Sequence, residues 1–277
     1  MIGNKFAVAS GAKCVPVCQF DVGANWWISK MIKKHKSTVL SVAWCVNNKF
    51  LVTGSADMKC RIFSAYLDGL DPAEDDGFGE VFPKQHEFGE VLAEFDQAKS
   101  WVHAVAWAPG GFRLAFASHA STLHFVQLLA GSQPIVQNVN ARDLPYLDIH
   151  FLSDNALVGA GFEANVDIFS VSGGTDAEPV WSFKDKVDKK QTGGAAASTP
   201  KLGGAFAGAR SLFDKSDKEG HAFGAQTQQV TVATKHKNTI VNIQLQQNAN
   251  GANVTQFTTA GLDGRVCFWN VASLNLK

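Results

Sequence analysis

His35-Lys-Ser-Thr-Val-Leu-Ser-Val-Ala-Trp44 and His236-Lys-Asn-Thr-Ile-Val-Asn-Ile-Gln-Leu245 are two copies of one pattern. Both open on His-Lys, both carry a Thr just before an apolar run, and both alternate toward a bulky final side chain. A second extended run and a polar turn follow each, Phe50-Leu-Val-Thr-Gly-Ser-Ala-Asp57 and Phe257-Thr-Thr-Ala-Gly-Leu-Asp263. Six residues beyond each Asp stands an aromatic, Phe63 closing Cys60-Arg-Ile-Phe63 and Trp269 closing Val266-Cys-Phe-Trp269. Alternation with period two buries every second side chain, and Gly, Asn and Asp supply the tight backbone of the turns, so these runs read as short strands.

Two weaker copies lie between them. One is Trp101-Val-His-Ala-Val-Ala-Trp107, Arg113-Leu-Ala-Phe-Ala-Ser118 and Thr122-Leu-His-Phe-Val126; the other is Leu147-Asp-Ile-His-Phe-Leu152, Ala156-Leu-Val-Gly-Ala-Gly161 and Val166-Asp-Ile-Phe169. An edge-type strand precedes each unit: Trp26–Met31, Glu90–Phe95, Pro134–Val139 and Val180–Phe183. Four strands per unit, at a period of about 40–45 residues once insertions are removed, predict an all-β, WD40-type β-propeller.

The last unit carries the side chains of a buried polar link: His236 before its first strand, Thr259 in the second, Asp263 in the turn, and the indole N–H of Trp269. Such a chain stabilises only when every member is satisfied. In the earlier copy His35, Thr53 and Asp57 recur, but Phe63 has no indole donor and the chain is expected to stop short. These His and Asp residues read as structural links rather than as a catalytic pair.

Composition sets outer bounds. With 277 residues, 45% of them hydrophobic and 18% charged, the chain suits a globular domain with a substantial core. Its 25 basic and 25 acidic residues cancel, which argues against a general nucleic-acid or membrane-surface binder. The start, Met1-Ile-Gly-Asn-Lys5, lacks the pattern of a signal peptide, and no apolar run reaches membrane-span length. Five cysteines without zinc-like spacing fit reduced thiols in the cytosol. The basic run Lys30-Met-Ile-Lys-Lys-His-Lys36 admits a nucleic-acid or phosphoinositide patch, but it has little aromatic interleaving, and a solvated loop or an acidic protein partner is favoured.

Several stretches carry a specific resemblance. Lys5-Phe-Ala-Val8, Trp26-Trp27, Lys33-Lys34, Ser37-Thr-Val-Leu-Ser41 and Lys59-Cys-Arg-Ile-Phe-Ser-Ala-Tyr66 resemble the WD-repeat subunit of the actin-related protein 2/3 complex. Trp101-Val-His103, Ser118-His119 and Ser121-Thr122 extend the likeness, as does Gly208–Lys218 followed by Lys235–Asn238. That family is seven-bladed, whereas four units and a half-unit (residues 1–20) are recognisable here. The resemblance therefore implies an incomplete ring of about four and a half blades over residues 1–277, the C-terminal part of a larger propeller. It also implies a scaffold subunit in actin nucleation and branching, in the cytoplasm with the actin cytoskeleton. Its implied partners are the actin-related and other subunits of that complex and the actin filament.

Two insertions interrupt the repeat. Residues 184–235 begin with mostly charged residues, pass through Gly193-Gly-Ala-Ala-Ala-Ser-Thr-Pro200, and then bring Phe206, Arg210 and Phe213 to helical spacing. A helix of about a dozen residues is marginal alone. With the resemblance, the favoured reading is docking into an apolar groove of a partner; folding back onto the propeller is the alternative. Leu67–Glu90, acidic and then rich in Phe, reads as a solvated loop capping a blade edge. No phosphate loop, nucleophile elbow or metalloprotease pattern occurs, and no cofactor, metal site or enzyme activity is expected. The alternatives are a WD-repeat adaptor for a ubiquitin ligase or signalling complex and, below it, a propeller enzyme with converging acids in its channel.

Overall fold

Among the described residues eighteen strands build five antiparallel sheets. The computed structural model describes residues 4–72, 78–82, 86–140, 144–188, 234–247, 254–274 and 276. The first sheet has β1 (Lys5–Ala7), β2 (Val15–Asp21) and β3 (Trp26–Ile32). The second has β4 (Val39–Trp44), β5 (Phe50–Ser55), β6 (Cys60–Ser64) and β7 (Val91–Phe95). The third has β8 (Val102–Trp107), β9 (Arg113–Ser118), β10 (Thr122–Gln127) and β11 (Ile135–Asn140). The fourth has β12 (Tyr146–Ser153), β13 (Ala156–Gly161), β14 (Val166–Gly174) and β15 (Pro179–Lys186). The fifth has β16 (Ile240–Gln247), β17 (Val254–Gly261) and β18 (Val266–Asn270). All belong to one unit, Met1–Asp188 with Thr234–Lys277. This is β-propeller architecture, built from up-and-down sheets.

The sheets stack in chain order through four apolar seams. Val15, Val17 and Ile32 of the first sheet meet Leu51 and Phe63 of the second. The other face of the second sheet, with Val52 and Ile62, meets Val105, Leu114 and Phe116. In the third seam small Ala104, Ala106, Ala115 and Ala117 face Tyr146, Phe151, Phe169 and Trp181, and Phe125 stacks on Trp181 at 4.2 Å. Ile168 and Val158 meet Ile243, Phe257 and Trp269 in the fourth. The middle sheets are thus covered on both faces, and β5 and β13 are buried along their whole length. Each large side chain so enclosed contributes about 1.5–3 kcal/mol of transfer free energy.

β4, β8, β12 and β16, the first strands of the second to fifth sheets, share an irregularity at the same place. The pairing register shifts between Val39 and Ser41, Val102 and Ala104, Tyr146 and Asp148, and Ile240 and Asn242. Such a bulge re-aims the extra residue, and here it turns Leu40 and Val241 toward solvent. The next residue links sheets: Ser41 Oγ accepts from Val105 N at 3.2 Å, and Asp148 Oδ2 from Ile243 N at 2.7 Å.

Three sequence expectations are corrected. The edge strand preceding each unit completes the sheet before it, since β3 pairs with β2, β7 with β6, β11 with β10 and β15 with β14. β15 runs to Lys186, into the stretch read as insertion, because Lys184, Asp185 and Lys186 stay partly or fully exposed along a half-covered edge strand. The Leu67–Glu90 segment is not simply solvated. Phe78 is buried, stacked on Phe112 at 4.8 Å and edge-on to Phe50 at 5.7 Å, and Asp71 is buried against Lys5. These partners lie far off in sequence, so local composition read as a surface loop.

Candidate functional site

The two His-Lys units hold polar networks of opposite direction. In the fifth sheet His236 Nδ1 lies 3.2 Å from Asp263 Oδ1, its Nε2 lies 2.7 Å from Thr259 Oγ1, and Trp269 Nε1 donates to the same hydroxyl at 2.8 Å. A carboxylate only accepts, so in the neutral ring the proton sits on Nδ1 and the Thr259 hydroxyl donates to Nε2. Asp263 Oδ2 also caps Lys237 N at 2.6 Å. Burial acts against the charge of Asp263, yet hydrogen bonds from the Lys237 and Arg265 amides and from His236 hold its carboxyl down at about 2.

In the second sheet His35 sits 3.3 Å from Thr53 Oγ1, but its Nδ1 faces Arg61 at 3.0 Å rather than Asp57, which is 3.9 Å away. Arg61 only donates, so His35 carries its proton on Nε2, donates to Thr53, and Thr53 donates to the Arg61 carbonyl at 3.4 Å. Arg61 also reaches Asp57 at 2.9 Å and Glu94 at 2.7 Å, with Lys59 on the other oxygen of Glu94. Phe63 packs edge-on against His35 at 5.4 Å and takes no hydrogen bond, and the network grows outward through Arg61 instead. That arginine was missed in the sequence. The signal it offered was its place four residues after Asp57, on the same face of the strand as the buried Phe63.

Burial, and then the Arg61 charge, push His35 down to about 4; burial likewise lowers His124, stacked on Phe116 at 4.4 Å, and His103. Unfolded histidines take up protons near pH 6.5, whereas the folded ones resist. Stability is therefore full above that pH and drains away as pH falls toward 4. We expect a loss from His35 of about 1–2 kcal/mol after allowance for solvent screening. Chemical denaturation at pH 7 and pH 5 checks it: an unchanged midpoint contradicts the neutral, buried imidazole.

One rim of the stack carries repeated geometry. Ala56, His119, Phe162 and Leu262, each just past the second strand of its sheet, donate backbone N–H to Thr38, Trp101, Pro145 and Thr239 at 2.8, 2.8, 3.3 and 2.8 Å. Phe162, Leu262 and Trp101 are exposed there, beside the bulge residues Leu40 and Val241. Exposed aromatics fixed by backbone bonds at the ends of strands suit protein contact.

Comparison with known proteins places this scaffold. The WD domain, G-beta repeat family matches residues 26–64. Actin-related protein 2/3 complex subunit 1A of Arabidopsis thaliana is 36% identical over 279 residues, 98% of this chain and 68% of that protein. The chain belongs to the actin-related protein 2/3 complex subunit 1 family. Other members of the subunit 1 family are subunit 1B-A of Xenopus laevis, 34% identical over 98% of this chain and 68% of its own length, and subunit 1 of Schizosaccharomyces pombe, 31% identical over 97% and 70%. Phe206, Arg210 and Phe213, the expected docking residues of the subunit 1 insertion, lie outside the described residues. Among the described residues no cluster of three or more His, Cys, Asp or Glu is placed to hold a metal, and no helix is long and apolar enough to cross a membrane.

Proposed function

We propose that this chain is a non-catalytic scaffold subunit of the actin-related protein 2/3 complex, supporting nucleation and branching of actin filaments through protein contacts. The observation that carries the reading is the family relationship over 98% of the chain. The enclosed seams supply rigidity, and the rim of Trp101, Phe162 and Leu262 leaves side chains free for neighbours. Its partners in this reading are the other subunits and the actin filament, and its place of action is the actin cytoskeleton. Phe206, Arg210 and Phe213 form the proposed docking face of the insertion. Changing Phe206 and Phe213 to Ala in the assembled complex is expected to weaken filament branching and leave the unfolding midpoint unchanged. Unchanged branching overturns the docking role. A lowered midpoint assigns the rings to the domain's own surface. Failure of the wild-type chain to co-purify with actin-related subunits overturns the scaffold reading itself.

A further inference from the structure

His103 and His119 stand apart from the networks above. His103 is the bulge residue of β8 and is half-buried, while His119 follows β9 and is exposed. Their rings meet with His103 Nε2 2.8 Å from His119 Nδ1. His119 is fixed by its backbone bond to the Trp101 carbonyl, and the Trp101 ring packs 5.7 Å from His119 and 6.5 Å from His103. Phe162 closes the far side, its ring 6.5 Å from that of His119. One imidazole on β8 and one just past β9 thus face each other, walled by aromatic rings and set by the backbone of short side chains rather than by long flexible stems.

We propose that this pair is a two-histidine site for a borderline divalent transition metal, Zn2+ in the first instance. Neutral imidazole nitrogen is a preferred ligand for Zn2+ and a poor one for Mg2+ or Ca2+. Zn–N bonds of about 2.0–2.1 Å at a tetrahedral angle need facing nitrogens about 3.4 Å apart with both lone pairs aimed at one point, so the rings open by about half an ångström and tilt out of their present hydrogen bond. Only one of the two facing nitrogens carries a proton in the hydrogen-bonded pair. On binding, that proton passes through solvent to the far nitrogen of the same ring, so both facing lone pairs bond the metal and no net proton is released. Two coordination positions remain for water or for a donor from a docked neighbour, which makes the ion a bridge at the rim rather than a closed structural site.

The test is calorimetric titration of the full chain with Zn2+, beside His119→Gln and His103→Gln and with Mg2+ as control. One saturable equivalent of Zn2+, none of Mg2+, and loss of that equivalent in both variants is the expected result. Zn2+ should also raise the unfolding midpoint of the wild-type chain and not that of His119→Gln. His119 is exposed, and Gln keeps a polar group there, so this variant folds as the wild type does; equal midpoints without metal verify it. No saturable Zn2+ binding, or binding unchanged in His119→Gln, overturns the site.

Discussion

Asp71→Ala lowers the free energy of unfolding by about 3–5 kcal/mol, the range for removing one partner of a buried ion pair. Lys5 and Asp71 pair with side chains 0% and 1% exposed. The Lys5 ammonium also donates to the Ala65 carbonyl at 2.8 Å and lies 5.1 Å over the Trp44 ring, while Asp71 Oδ2 accepts from Leu67 N at 2.8 Å. Burial pulls the Lys5 pKa down, and Asp71 is what holds it up. Without Asp71 a cation is enclosed with no counter-charge, and Leu67 N loses its acceptor. The double change Lys5→Met with Asp71→Asn leaves no orphaned charge and keeps an oxygen for Leu67. It should cost well under the sum of the single changes. Urea denaturation of Asp71→Ala, of Lys5→Met and Asp71→Asn singly, and of the double change decides it: additive losses in the last three, or an Asp71→Ala protein as stable as wild type, would sink the argument.

Arg61→Ala carries a comparable loss, about 3–5 kcal/mol. The guanidinium is 3% exposed and serves three partners, of which Asp57 is 5% exposed and His35 wholly enclosed. Glu94 is 38% exposed and keeps Lys59, so little is lost there. The gap left beside His35 invites its ring to adopt the tautomer of His236 and donate toward Asp57, which limits the damage. Arg61→Lys retains the charge but not the fork, and should fall between the two. The same denaturation series measures it, and an Arg61→Lys protein no better than Arg61→Ala would show that charge alone contributes nothing.

The strands were legible where the copies matched, because a residue's face in a sheet depends only on its immediate neighbours. Phe257 and Thr259 alternate inward as their spacing requires, and so do Leu51 and Thr53. What escaped notice depends on distant partners. Phe78 looks like a loop residue until Phe112 and Phe50 surround it, and Arg61 looks like a surface charge until β7 brings Glu94 opposite at its register. Among candidate site residues, the His236–Thr259–Asp263 set follows from the repeated pattern of its unit, whereas His35 keeps Thr53 but turns to Arg61 instead of Asp57. The meeting of His103 with His119 depends on the bulge in β8, which no local pattern announces.

The one-strand offset between sequence unit and sheet has a consequence for how such a chain can be cut. The matched WD stretch, residues 26–64, begins in the outermost strand of one sheet and ends in the third strand of the next. Like overlapping roof slates, each unit is pinned beneath its neighbour. Excising one unit leaves a sheet stripped of its margin and another without its inner strands, whereas a break made in the turn between an outer strand and the following inner one leaves every hydrogen-bonded ladder whole.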